Sequence, residues 1–236
     1  MFVDFHSHFL PAIDDGADSP ETSVQMVNIS KSQGVDILVA TPHLLINNSP
    51  LHAAVAKRAA AYEAFKLAAK KSHLSAPAIK LGFEVRNCPG LLDAGDLDSL
   101  CIEGTKTILL EMPMSQWEDP LFENIETLIQ KGYTVLLAHI ERYLSNDRLE
   151  DVGRLLDMDL YSQVSASAFV AKKNRDILFE LLENNMFHVL GSDAHNIFSR
   201  ASFMDIAYRI ISSHIGQKYI DKINENSAML LSLPKD

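Results

Sequence analysis

The 236-residue sequence predicts an α/β protein whose parallel strands close, or nearly close, into a TIM-barrel-like βα barrel. Three observations predict it. Seven short apolar runs alternate with stretches of helical length and composition, an order that gives a parallel sheet with right-handed crossovers. Six of the seven runs end in a histidine, glutamate or aspartate. A barrel gathers such ends around one point, whereas an open doubly wound sheet would not. No internal repeat, low-complexity tract or linker divides the chain, so residues 1–236 are read as one domain.

The first strand is Phe2-Val3-Asp4-Phe5, apolar and polar in alternation, and it runs into His6-Ser7-His8. On an extended backbone residues two apart face the same side, so both imidazoles are placed to reach one ion. Ser19 caps a helix with Pro20 and Glu21 in its first turn; it runs to about Ser32 and stops at Gly34. Ile37 to Ala40 is the second strand and leads into Thr41-Pro42-His43. Residues 51 to 71, rich in Ala, Lys and Glu, form a long helix. A third strand covers residues 79 to 83 and ends in Glu84; short helical turns and loops fill 88 to 104. The fourth strand, Thr107 to Leu110, ends in Glu111. A helix from about Asp119 to Lys131 is closed by Gly132, and the strand from Tyr133 to Ala138 ends in His139. Helical segments cover roughly 144 to 158, followed by a sixth strand, Tyr161 to Val164. After a helix near 174 to 184, the seventh strand, Phe187 to Leu190, ends in Gly191-Ser192-Asp193-Ala194-His195. Two or three helices fill residues 199 to 231.

Composition narrows the function. With 47% hydrophobic and 22% charged residues the chain is of globular type, and no apolar run is long enough to span a membrane. A formal net charge of −10 excludes nucleic acid as a partner, because phosphate backbones require a basic surface. Cys88 and Cys101 make neither a disulfide framework nor a CxxC pair, and no secretory leader is recognisable, so a reducing cytoplasm is the expected compartment.

The strand ends carry the chemistry. They supply His6, His8, His43, Glu84, Glu111, His139, Asp193 and His195, and Asp15 lies in the loop after the first strand. Singly, each has a plain structural explanation: Glu84 or Asp193 as a helix cap, His43 as a residue after a turn proline. Together at equivalent strand ends they describe a metal centre. Imidazole and carboxylate donors without thiolate suit Mn, Fe, Zn or Co. Five imidazoles and four carboxylates are too many for one ion, but two or three divalent ions sharing bridging carboxylates use them all. Such a cluster turns water into hydroxide near neutral pH and clamps the oxygens of a phosphoryl group under in-line attack. Arg142 and Arg200, just past two strand ends, are then candidate catalytic residues, their guanidinium forks gripping phosphate oxygens. The remaining histidines, His52, His73, His188 and His214, fall in helices or inside a strand and are structural or surface residues. Trp117 and Met112-Pro113-Met114 either wall the pocket or pack beneath it.

His6-Ser7-His8, Asp14-Asp15-Gly16, Thr41-Pro42-His43, Glu84, Glu111, Ala138-His139-Ile140-Glu141-Arg142-Tyr143 and Ser192-Asp193-Ala194-His195-Asn196 resemble, in order, the PHP (polymerase and histidinol phosphatase) superfamily. Within it they are most similar to the manganese-dependent protein-tyrosine phosphatases encoded with bacterial capsular and exopolysaccharide genes. The resemblance implies a distorted seven-stranded barrel with a trinuclear centre. One ion would be held by His6, His8, Glu84 and Asp193, a second by Glu84, Glu111 and His139, and a third by Asp15, His43 and His195, with Glu84 bridging the first two. It also implies phosphate contacts from Arg142 and Arg200. Two departures stand out. The loop Leu44-Leu45-Ile46-Asn47-Asn48 is apolar and neutral where some relatives are basic. The sixth strand leads into Ser165-Ala166-Ser167, where an Asn lining the site is expected.

The expected function is therefore a metal-dependent phosphomonoesterase, manganese being the first choice of ion. Its substrate would be phosphotyrosine on a protein, such as a tyrosine kinase of polysaccharide export, attacked by a metal-bound hydroxide. Neither cysteine begins the C-x5-R loop of thiol-based tyrosine phosphatases: Ala94 and Thr107 stand where the arginine would be. Two alternatives remain, a phosphatase of a small phosphomonoester such as histidinol phosphate, and a non-catalytic metal-binding partner of polysaccharide machinery. The sequence leaves the oligomeric state open.

Overall fold

Alternating strands and helices follow from the same residue pattern in the computed structural model, which describes residues 1–46, 50–145, 148–171 and 175–232. The strands are β1 (Val3–Ser7), β2 (Ile37–Ala40), β3 (His43–Leu44), β4 (Ala78–Leu81), β5 (Glu84–Arg86), β6 (Thr107–Glu111), β7 (Thr134–Leu137), β8 (Tyr161–Ser165) and β9 (Val189–Gly191). The helices are α1 (Pro20–Ser32), α2 (Leu51–Lys71), α3 (Asp119–Gln130), α4 (Leu149–Leu156), α5 (Ala166–Val170), α6 (Arg175–Glu183), α7 (Met204–Ile215) and α8 (Gln217–Leu230). Ser19 caps α1 by accepting the Thr22 amide hydrogen, as its sequence indicates.

All strand pairing is parallel, in the orders β1-β2-β4 and β3-β5-β6-β7-β8-β9. The sheet curls back on itself: Ser7 bridges Ala194, and the His8 amide donates to the Ala194 carbonyl at 2.9 Å. Seven strands were expected, and nine segments are found among the described residues. The third apolar run breaks at Gly82-Phe83, and a short β3 not expected from the sequence follows Thr41-Pro42. A side chain at position 82 would press Ile102 Cγ1 at 3.2 Å, which accounts for glycine at the break. Hydrogen bonds bridge the gap: Gly82 donates to Ala40 and Glu84 to Pro42, at 2.8 and 3.1 Å.

Strand alternation sorts the apolar residues into two cores. Val3, Phe5, Ile37, Val39, Leu109, Leu136 and Val189 pack inside the curl, which Leu230 and Leu231 close from below. Thr107, at the start of β6, donates to the Leu230 carbonyl at 2.8 Å and so fixes that plug at the amino ends of the strands. Leu38, Ala40, Ile108, Leu110, Val135, Leu137, Val164 and Leu190 face outward and join the helices in a second core. Burial of each such side chain contributes about 1.5–3 kcal/mol. With the lower end filled by leucines, the polar residues collect at the carboxyl ends.

Candidate metal centre

A bulge in β1 builds the first part of the site. From Asp4 to Ser7 the strand advances three residues while β2 advances two, from Leu38 to Ala40. The extra residue cancels the pleat, so Phe5 stays in the inner core while its neighbour His6 also turns inward. His8 then follows on the same side as His6, as the spacing of two predicts. Elsewhere, left-handed backbone re-aims two more side chains: His139, after β7, has φ of 33°, and Asp193, after β9, has φ of 51°. Non-glycine residues are uncommon there, though His and Asp tolerate it better than most, and such outliers concentrate at functional sites.

All nine residues singled out as ligands converge. Glu84 lies at the centre, 1% exposed. Its Oε1 is 2.7 Å from His139 Nε2. Its Oε2 is 3.3 Å from His6 Nε2, 3.4 Å from His8 Nε2 and 2.7 Å from His43 Nδ1. Asp193 Oδ1 lies 3.5 Å from His6 and 3.4 Å from His8. Asp15 Oδ1 is 3.3 Å from both His43 and His195. Glu111 sits 3.6 Å from His139 and receives Arg86 Nε at 2.7 Å. Three sets have donor atoms within 4.8 Å of one another: His6, His8 and Asp193; His43, Glu84 and Glu111; and His8, Asp15, His43 and His195. These sets overlap the three the resemblance implies but differ from them: Glu84 is not grouped with His6, His8 and Asp193, His43 stands in the place of His139 beside Glu84 and Glu111, and His8 joins Asp15, His43 and His195. Unlike the other carboxylates, Asp15 is 61% exposed and forms the outer lip.

The imidazoles are oriented as metal ligands are. His6 Nδ1 meets Gln163 Oε1 at 3.1 Å, His8 Nδ1 meets Asp14 Oδ2 at 2.8 Å, and His195 Nδ1 meets the Asp193 carbonyl at 2.9 Å. Each acceptor holds a proton on Nδ1 and so turns Nε2 into the site, where it can exchange any proton it carries for a metal ion. The Nε2 atoms of His6 and His8 then stand 3.0 Å apart, an arrangement that two lone pairs tolerate only with a proton or a metal ion between them. His195 Nε2 and Glu84 Oε2 are buried and have close ionic neighbours, Asp15 at 3.3 Å and His43 at 2.7 Å, but no well-aligned hydrogen bond. Two inward-facing donor atoms without an aligned hydrogen bond, in a nitrogen-and-oxygen set, fit a cluster of divalent ions.

The carboxylates draw positive charge to the same point. Burial alone would suppress the His8 charge, but Asp14, Asp193 and Glu84 outweigh it and raise its pKa well above the usual value. Burial would likewise raise the carboxyls of Glu84 and Asp193, yet His6 and the surrounding donors hold both well below the usual range. His195, buried and close to the positive His8, is pushed down to about 4. The carboxylates are thus ready as anions and His195 as a neutral base.

Arg142 and Arg200 flank the mouth. Arg142 pairs with Asp193, and Arg200 reaches Asp193 at 3.2 Å and Asp15 at 3.4 Å. At 34% and 41% exposed, both guanidiniums remain open to an incoming anion.

Several supporting residues escaped the sequence reading. Gln163 on β8 supports the histidines from beneath: besides meeting His6 Nδ1, its Oε1 accepts the His139 amide hydrogen at 2.9 Å. Only its inward parity could have announced it. Asp4 accepts from the amides of Ser192 and His6 at 2.7 and 3.2 Å, tying β9 to the β1 bulge. Tyr143, in the HIERY stretch, lies 3.3 Å from His139 Nδ1 and bonds both backbone groups of Met112. Trp117 is buried edge-on to Tyr143 and Phe122 and donates to the Pro113 carbonyl, so the packing reading holds for it; Met114 is exposed. His188 is buried as a structural residue just before β9, and His73 lies in a turn beyond α2 rather than within a helix. Asn47 and Asn48 lie outside the described residues.

A curled parallel sheet with imidazoles and carboxylates crowded at its carboxyl edge defines an α/β protein with a candidate multi-metal centre. Its residues 2–232 match the family described as capsular polysaccharide synthesis, CpsB/CapC, and the chain belongs to that family. It is 28% identical to the tyrosine-protein phosphatase YwqE of Bacillus subtilis over 97% of this chain and 91% of that protein. It is 27% identical to the tyrosine-protein phosphatase CpsB of Streptococcus agalactiae, over 97% and 98% of the two chains. A crystal structure from work on YwqE of Bacillus subtilis and CpsB of Streptococcus pneumoniae, described as metal-dependent tyrosine phosphatases, superposes with a TM-score of 0.85 at 26% identity, covering 99% of this chain and 96% of that one.

Proposed function

We propose that this protein is a metal-dependent protein-tyrosine phosphatase, a single domain whose β2/β3 and β4/β5 segments act as single staves of a distorted seven-stave PHP-type barrel. The observation that carries the reading is the set of Nδ1-anchored imidazoles facing shared carboxylates, with Glu84 dividing its two oxygens between His139 and the His6, His8, His43 group. Three divalent ions, manganese by preference, would be held by His6, His8, Glu84 and Asp193, by Glu84, Glu111 and His139, and by Asp15, His43 and His195. When bound, such ions supply Lewis acidity: they acidify water and neutralise the charge of a phosphoryl group.

The chain's own residues do the rest. Arg142 and Arg200 grip the non-bridging phosphoryl oxygens, turning from Asp193 to the incoming anion. Because charge grows on those oxygens during displacement, guanidiniums already in place stabilise the transition state more than the ground state. Asp14 and Gln163 hold His8 and His6 at fixed angles, which keeps the donors from reorganising during turnover. Phenolate is a good leaving group, so little demand falls on a general acid.

The tyrosine phosphatase relatives favour phosphotyrosine over histidinol phosphate, and the intact arginine pair beside a full donor set disfavours a non-catalytic partner. Family membership supports a phosphoprotein of polysaccharide synthesis, such as its tyrosine kinase, as the substrate. A cytoplasmic location accords with that substrate; among the described residues no helix is long and apolar enough to cross a membrane. The test pairs metal analysis with turnover of a phosphotyrosine peptide and of histidinol phosphate. Arg142→Ala should retain the metal content of the parent and lose about two to three orders of magnitude in kcat/KM on the peptide, the scale for one transition-state donor. Full turnover in that variant, or a metal-loaded parent that cleaves neither substrate, rejects the assignment.

A further inference from the structure

Two cavities share one wall. The first, about 300 Å³, is lined by His43, Leu44, Leu45, Glu84, Arg86 and Glu111 and opens on the Glu84–Glu111 side of the metal centre. The second, about 410 Å³, lies across the wall of His43, Leu44 and Leu45, toward α2. Ile13, Phe83, Ala53 and Ala54 complete its apolar lining, and Lys57 and Asp14 stand at its polar edge. Both polar groups are engaged: Lys57 Nζ donates to the Ile13 carbonyl at 2.8 Å, and Asp14 is bound to His8. Phe83 is fixed by the Arg58 guanidinium stacked 4.0 Å from its ring centre. Leu45, by contrast, is 39% exposed at the lip between the two cavities. The apolar residues after His43 thus build a pocket that the phosphoryl chemistry does not use.

We propose that this second cavity is a substrate subsite that takes an aliphatic side chain flanking the phosphotyrosine. The inference rests on the phosphatase reading above and names the class of peptide that reading leaves open. With the phosphoryl group held at the metal centre, the first cavity, which adjoins Glu84 and Glu111, takes its aromatic ring. The second cavity then lies beyond a wall one side chain thick. Along an extended peptide each residue advances about 3.3 Å, so a residue one or two positions from the phosphotyrosine crosses that wall. Its side chain meets Ile13, Leu44, Leu45 and Phe83. A leucine is desolvated there with full contact, a glycine leaves the pocket to water, and a lysine meets the ammonium of Lys57. Filling a pocket of this kind with an aliphatic group discriminates by roughly tenfold or more.

The test uses the metal-loaded protein and phosphotyrosine peptides identical except for leucine, glycine or lysine on either side of the phosphotyrosine. The parent should favour leucine over glycine by about tenfold in kcat/KM and disfavour lysine further. In Leu45→Ser, which changes an exposed residue, and in Ala54→Phe, which fills the cavity from α2, the leucine-to-glycine ratio should fall toward one. A ratio within one protein cancels any loss of fold or metal. Peptides carrying a non-hydrolysable phosphonate in place of the phosphate, followed by fluorescence anisotropy, should show the same order of binding. Equal turnover of leucine and glycine peptides by the parent, or a preference that survives both substitutions, overturns the subsite while the phosphatase reading stands. Failure to cleave any of the peptides overturns the phosphatase reading itself.

Discussion

Replacing Gly16 by alanine should damage the metal centre without touching a ligand. A Cβ at position 16 would lie 2.0 Å from the His8 carbonyl oxygen and 2.5 Å from His8 Cβ. Both are backbone or backbone-fixed atoms, so no rotamer change relieves the contact, and one segment must retreat by more than an ångström. The segments are stitched together: Ala17 donates to the His8 carbonyl at 3.0 Å, and Asp14 holds both the Gly16 amide, at 3.0 Å, and His8 Nδ1, at 2.8 Å. Overpacking of this kind costs roughly 1–3 kcal/mol, and loosening the bond between a carboxylate and His8 adds about 1–2 more. A total near 3 kcal/mol corresponds to about 6–12 °C in Tm for a chain of this length. Thermal unfolding should show that fall, and isothermal titration with Mn(II) should show weakened binding, because His8 has moved. A variant within about 0.5 kcal/mol of the parent and with unaltered metal affinity would refute the claim that the glycine serves close backbone approach.

Gly153 in α4 provides the opposite case: nothing lies within 4 Å of a Cβ there, so Gly153→Ala should gain about 0.5–1 kcal/mol in urea unfolding through helix propensity. Gln163→Leu removes the acceptor shared by the His6 ring and the His139 amide and should weaken metal binding about 10–100-fold by competition with a chelator, while the nine ligands stay intact. His188 supplies a pH-dependent test away from the centre. Burial, reinforced by Lys222, lowers its folded pKa to about 4 from the ordinary 6.5. Between those values the unfolded chain binds more protons, so stability falls as pH drops through 6.5 toward 4, by at most about 3 kcal/mol. His188→Asn keeps an acceptor for the Ser162 amide and should flatten that part of the stability profile; an unchanged slope would show that His188 does not titrate there.

What the sequence disclosed and what it concealed divide along a physical line. Coordination chemistry restricts a ligand to a few residue types, and a parallel βα chain delivers them at strand ends, so His6 through His195 could be read off one by one. The strand and helix order was equally visible, with α2 and β2 matching their expected limits, because period and capping are local properties. The orientation of those ligands was not local. His6 faces inward because β1 carries one residue more than β2, and that count belongs to a pair of strands. His139 and Asp193 are aimed by left-handed backbone that no propensity favours. Gln163 and Asp4 act through contacts with residues 157 and 188 positions away in sequence. The third apolar run reads as one strand, yet breaks at Gly82-Phe83, where Ile102 leaves little room for a side chain at position 82. Each concealed feature orients a ligand or interrupts a strand beside one, and each goes against local preference. A chain selected only to fold would have no reason to keep a bulge, two left-handed residues and a buried glutamine at one strand edge. Holding several cations at fixed angles to one another does give it that reason.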